Sequence, residues 1–182
     1  MASTQVAEQH RKQESIHWSG YLFLVFIAGL VVFADQWTKA WVRAHLSYGE
    51  SIVPFSWMAP YARIMNWRNA GASFGMFQQF GGIFTILAIV VALMIIYYFP
   101  RIGRGDWALR LAMGLQLGGA LGNLIDRLQR GYVTDFVSVG TFPVFNVADA
   151  SITLGVIILL LDVWLGSGGE NDPDPLPVNP IK

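Results

Sequence analysis

Long apolar runs alternate with short polar knots along this chain, and their spacing predicts its architecture. A helix needs about 20 residues to cross hydrocarbon, and four runs of roughly that length lie at about residues 18–42, 81–99, 107–128 and 146–165. The first is uncharged from 18 to 34, the second sits in an uncharged stretch from 69 to 100, and the third has an uncharged centre from 111 to 125. The pattern predicts an all-α membrane protein with four transmembrane helices. Between the first two runs, "SIVPFSW" and "ARIMNWR" are short, proline-punctuated and rich in β-branched and aromatic residues. They predict a small extramembrane β segment over about 44–68, with Phe55, Trp57, Tyr61 and Trp67 suited to the headgroup level.

The ends differ from the middle. Residues 1–16 are polar, and 167–182 are rich in glycine, proline and acids, which predicts a disordered C-terminal tail and leaves 17–166 as one membrane domain. Four spans put both termini on one side. The connector "PRIGRGDWALR" carries Arg101, Arg104 and Arg110, and such density marks a cytoplasmic loop. Both termini are then cytoplasmic, with 43–80 and 129–145 facing outward. Arg11 and Lys12, the first apolar run and "VFA" at 32–34 also resemble a cleavable signal peptide. However, Glu8 and Glu14 offset the bases, and "DQWTKAWV" continues the amphipathic pattern past Ala34, so a retained span is the better reading.

Composition narrows the chemistry. Hydrophobic residues make up 54% and charged residues 13%, against about 25% charged in a typical soluble domain. Twelve basic and twelve acidic residues cancel, so nothing favours a nucleic-acid partner. There is no cysteine, which excludes disulfides, thiolate metal sites and cysteine nucleophiles.

Away from the tails, polar residues gather in four clusters: "DQWTK" (35–39), "NWRNAGASFG" (66–75), "GNLIDR" with "GYVTDF" (122–136), and "FNVADAS" (145–151). In the four-span topology each lies at the outer end of a span or in an outer segment. Ionisable groups cost about 2.5–3.5 kcal/mol each at the bilayer centre and face inward when present, so convergence on one face predicts a site. Each cluster also has a purely structural reading. Asn146 and Asp149 are spaced like a helix cap. Asp126 can pair locally with Arg127 and Arg130, while Asn123, three residues before Asp126, shares its helix face. Asp35 and Lys39, four apart, read as a snorkelling pair. Asp135 and Asp149 are harder to neutralise, because no basic residue follows Asp135 until the C-terminal tail. Two such carboxylates at a membrane face form a pair able to share a proton, supplying an acid and a base together.

Other catalytic patterns are weaker. "GASFG" at 71–75 fits the G-x-S-x-G pattern of serine hydrolases, but that motif requires a strand–turn–helix context, and Ser73 would need His45 as its base. No H-E-x-x-H, His/Cys cluster or phosphate loop occurs, so neither a metal nor a cofactor is expected.

In order, "DQWTK", "NAGASFG", "GNLIDR", "GYVTDF" and "FNVADASI" resemble the lipoprotein signal peptidases, the type II signal peptidases of bacteria, over about residues 32–155. The resemblance implies an aspartyl protease of the inner membrane, with four spans and a site near the outer face. It implies a lipid-modified prolipoprotein as substrate, cut before its diacylglyceryl cysteine. By motif, Asp135 and Asp149 match the catalytic aspartates, while Asn69, Asn123, Arg127 and Asn146 match positions lining the site. Asp126 matches a supporting position, and Asp35 and Lys39 match a first motif of less definite role. The segment joining "VTDF" to "FNVAD" is shorter than the family pattern, which leaves the shape of that loop open. Membrane lipids and substrate are the expected partners of a monomer. Two rival classes remain: a small proton-linked transporter, which also uses membrane carboxylates, and a non-catalytic assembly factor whose aspartates are caps.

Overall fold

The four apolar runs form four long helices: α1 (Trp18–His45), α2 (Gly81–Tyr98), α3 (Trp107–Arg130) and α4 (Val147–Gly166). The structure is a computed structural model that describes residues 18–71, 81–103 and 105–166. The tails expected at 1–16 and 167–182, Arg104, and residues 72–75 of the glycine-rich motif lie outside the described residues. α2 tightens into a 3₁₀ turn over Phe99–Arg101, with Pro100 in that turn. α3 stops at Gly131, whose φ of 76° is left-handed and whose N–H donates to the Arg127 carbonyl, an ending that glycine adopts without strain.

Length and apolarity suit three of the described helices for crossing a membrane, at Gly20–His45, Gly81–Arg101 and Val147–Leu165. The run expected to be the third span, at α3, is not apolar enough to stand with them. Its place in the bundle gives the reason. α3 packs against each of the other helices, and its buried face is made of small and polar residues such as Gly118, Gly119, Gly122, Asn123 and Asp126. Apolar bulk belongs on a lipid-facing helix, whereas a central helix needs small residues that admit its neighbours' backbones. A β-carbon on Gly119 would collide with the Ala148 carbonyl oxygen of α4, and one on Gly118 would lie 2.6 Å from Val31 of α1.

The segment between the first two helices contributes to a three-stranded antiparallel sheet in the order β1 (Ser51–Ile52), β2 (Ala62–Asn69), β3 (Val133–Val139). The expectation of a sheet built from about 44–68 alone is therefore incomplete, because β3 comes from the α3–α4 connection. Residues 133–136 are all buried, so β3 shows no alternation of buried and exposed positions and carries no period-2 signal. β2 pairs with β3 through Trp67 opposite Asp135 and Asn69 opposite Val133, with a bulge between Ile64 and Trp67. After Gly140 the chain doubles back, and Phe145 exchanges backbone hydrogen bonds with Val137. That reversal defines the short loop before α4. Phe55, Trp57, Tyr61 and Trp67 are all exposed.

The sheet caps the bundle end made by the C-termini of α1 and α3 and the start of α4; Gly81, at the start of α2, lies against the Ala70 carbonyl. Val42, Leu46 and Phe136 form the core there, while Leu24, Ala28, Ala92, Ile95, Phe99 and Leu117 form an apolar core towards the other end.

The packing at α3 predicts an asymmetry between two glycines. Gly119→Ala should cost about 1–3 kcal/mol through overpacking and lower the thermal midpoint in detergent. Gly29→Ala, with nothing within 4 Å of the new methyl, should leave the midpoint unchanged or raise it, since helix preference contributes up to about 1 kcal/mol of stability. Equal shifts in the two variants would contradict the close approach of α3 and α4.

Candidate active site

Asn146 joins the two carboxylates that stand apart along the chain. It is the N-cap of α4: its Oδ1 accepts from Asp149 N at 3.0 Å, and its own N donates to Asp149 Oδ2 at 3.2 Å. This is a reciprocal capping box with aspartate at the third helical position, so the capping expectation holds. The same side chain reaches across to β3, where Asn146 Nδ2 donates to Asp135 Oδ1 at 2.6 Å. Cap and brace are one residue.

Asp135 is only 1% exposed. Its second oxygen accepts from Asn69 Nδ2 at 3.0 Å, and Asn69 is itself oriented by the Gly71 N–H on its Oδ1. Asp149 is half-buried, and its Oδ1 accepts from Asn123 Nδ2 at 2.8 Å. Burial pushes the Asp135 carboxyl up to about 7, and the charge of Asp149 pushes the same way, against the opposing pull of the Asn69 and Asn146 hydrogen bonds and of Lys39. Desolvation disfavours the charged form and a like-charged neighbour adds to it.

Three expectations need correction. Asp135 and Asp149 have no cation near them in sequence, but in space they do. Lys39 acts on Asp135, and Arg127 lies within electrostatic reach of both. Asp35 and Lys39 are not a snorkelling pair. Both are 0% exposed and paired at 2.8 Å, because Asn123 Oδ1 at 2.9 Å and Asp126 at 3.4 Å complete the ammonium's partners inside the bundle. Asp126 does pair with Arg130, at 3.3 Å, but not with Arg127. Its other partners are Lys39, Arg43 at 3.6 Å and the Thr134 N–H at 3.0 Å. Arg43, which also donates to Thr134 Oγ1 at 2.9 Å, is absent from the residues expected at the site. Its signal is the spacing 35, 39, 43, which puts three charges on one face of α1.

Arg127 points instead into a cleft of about 280 Å³ walled by Phe84, Leu87, Ala120, Asn123, Asp149 and Ile152. Its Nε is buried and finds no hydrogen-bond partner among the described residues. A second cleft, of about 530 Å³, is walled by Phe142, Pro143, Phe145, Thr153 and Ile157, and shares Asp149 and Ile152 with the first. Asp149 thus borders two largely apolar recesses. Ser73 lies outside the described residues, and His45 stacks on Trp41 with its Nδ1 directed at the Trp41 carbonyl, 2.8 Å away.

Two aspartates in one hydrogen-bond network can supply an acid and a base together, here at one end of a bundle in which three described helices are apolar enough to cross a membrane. The chain belongs to the family described as Signal peptidase (SPase) II, whose model matches residues 27–165. It is 40% identical over 151 residues to a lipoprotein signal peptidase of Anoxybacillus flavithermus, covering 81% of this chain and 88% of that one. A lipoprotein signal peptidase of Shewanella loihica is 35% identical over 171 residues, covering 90% and 95%. In fold, the chain is similar to a solved bacterial membrane enzyme with a TM-score of 0.76 and 29% identity, covering 84% of this chain and 93% of that one.

The raised Asp135 carboxyl has a consequence for stability. Folding favours its neutral form, so the folded state binds more protons than the unfolded one between 3.8 and about 7, and stability is lost as pH rises through that window. Asp135→Asn lacks this loss. The thermal midpoint of Asp135→Asn minus that of the wild type should therefore increase steadily from about pH 4 to pH 7. A difference that is flat with pH, measured in one detergent, would exclude a buried carboxyl that ionises late.

Proposed function

We propose that Asp135 and Asp149 are the catalytic pair with which this peptidase removes the signal peptide from a prolipoprotein, cutting before a cysteine that carries diacylglycerol. The observation that carries this reading is the Asn146 side chain, which holds both carboxylates in one network. Asp149 accepts N–H donors on both oxygens at the start of α4, where the helix dipole favours an anion, so it takes the proton of the attacking water. Asp135, buried and late to ionise, holds a proton that polarises the scissile carbonyl and then passes to the leaving amine. The protons titrate as a property of the pair.

The remaining residues have parts in this scheme. Arg127, with a donor unused beside Asp149, is an anchor for substrate carbonyl or ester oxygens. The two clefts bordering Asp149 suit the apolar signal peptide and the acyl chains. All four helices cross the inner membrane of a bacterium, α3 being shielded from lipid by the others. Both termini lie in the cytoplasm, the sheet and site lie at the outer face, and the chain works as a monomer. A proton-linked transporter is less well supported, because the buried polar side chains gather at the sheet end while the other core cluster is apolar.

Asp135→Asn and Asp149→Asn should each reduce cleavage of a purified lipid-modified prolipoprotein by at least about a hundredfold, with helical content and monodispersity retained. Near-native cleavage by either variant would remove that residue from the reaction. The wild-type rate should also fall on both sides of its optimum, as an acid and a base working together require.

A further inference from the structure

Each aspartate of the pair is preceded by a residue whose backbone N–H is held by a buried carboxylate. Thr134 N donates to Asp126 Oδ2, and Ala148 N donates to Asp35 Oδ1, each at 3.0 Å. The two holding carboxylates come from different helices, α3 and α1, and both are fully buried. They meet at one ammonium: Lys39 Nζ lies 2.8 Å from Asp35 Oδ2 and 3.4 Å from Asp126 Oδ2. Its third contact, at 2.9 Å, is Asn123 Oδ1. Lys39 thus faces three acceptors at once, two carboxylates and an amide oxygen. Its hold on Asn123 Oδ1 also leaves the amide's Nδ2 to face Asp149. One cation therefore fixes the strand before Asp135, the helix start before Asp149, and the donor on Asp149.

Charge balance alone does not account for this lysine. Arg43 and Arg130 already pair with Asp126 from the bundle's partly exposed rim. Among the described residues, only Lys39 touches Asp35, Asn123 and Asp126 together. We propose that Lys39 is the positioning residue of the pair: by holding these three acceptors together, it sets the separation and orientation of Asp135 and Asp149. This rests on the catalytic reading of those two aspartates. Lys39 does not touch substrate, and its influence passes through Asp35, Asp126 and Asn123.

The test uses the full chain in lipid–detergent micelles, comparing Lys39→Met with the charge-balanced double variant Asp35→Asn/Lys39→Met. The amide that Asp35→Asn introduces can still accept from the Ala148 N–H, so the double variant is read if Lys39→Met does not fold. With a synthetic diacylglyceryl-cysteine prolipoprotein peptide as probe, kcat should fall about a hundredfold while KM stays within about threefold, the mark of a loss confined to the transition state. Hydrogen exchange in the peptides containing Thr134 and Ala148 should quicken about tenfold, with the α2 amides unchanged. The proposal is overturned if the double variant keeps kcat within about threefold of wild type, if that exchange is unaltered, or if the double variant also fails to fold. Wild type that leaves the probe uncut would instead count against the proposed function, and the exchange measurement would still decide the role of Lys39.

Discussion

The hydrogen bond from the Asn146 amide to Asp135 ties the start of a helix to a strand, beside the backbone pairing of Phe145 with Val137. On one side is a strand paired into a small sheet; on the other is the first turn of a helix. Asn146 belongs to the helix by its cap and to the strand by its amide. Its geometry is in turn constrained by Asn123, whose Oδ1 accepts from the same amide at 3.1 Å. Buried amides can be oriented only when each oxygen and nitrogen has a defined partner. Asn69, Asn123 and Asn146 all meet that condition, which is how carboxylates can be buried next to one another without the surrounding structure collapsing around water.

The glycines of α3 bear on the same outcome. Asp35 of α1 reaches Ala148 of α4 only because α3 lets both neighbours close in. A β-carbon on Gly122 would lie 2.7 Å from the Asp35 carboxylate itself. The low apolarity of α3 and the buried ion network are thus one feature. Small residues bring α1 and α4 near enough to share hydrogen bonds, and those bonds satisfy charges that lipid could not.

Much of this was open to a reader of the chain, and the reasons for what was not are physical. The helices follow from uninterrupted apolar runs, and their ends fall within a few residues of where polar residues resume. The isolation of Asp135 and Asp149 from neighbouring bases drew attention to both. Yet isolation in sequence is a one-dimensional property. Lys39 comes close to Asp135 by tertiary packing across 96 positions that no local pattern encodes. β3 carries no period-2 signal because burial on both faces erases alternation. The bond from Arg43 to Thr134 is equally silent in the sequence, since it depends on that strand. The family resemblance supplied the grouping of the motifs, while their hydrogen-bonded arrangement had to come from the fold.

Asp149 and Ile152 are walls of both clefts, while the rest of each cleft is built from different parts of the chain. Under the proposed reaction, a polypeptide severed beside Asp149 becomes two molecules of unlike character, an apolar signal peptide and a lipidated chain with a free amine. The two recesses give that reading a separate berth for each product. Under that reading, the recess that holds its product longer limits turnover whenever release is slower than bond cleavage.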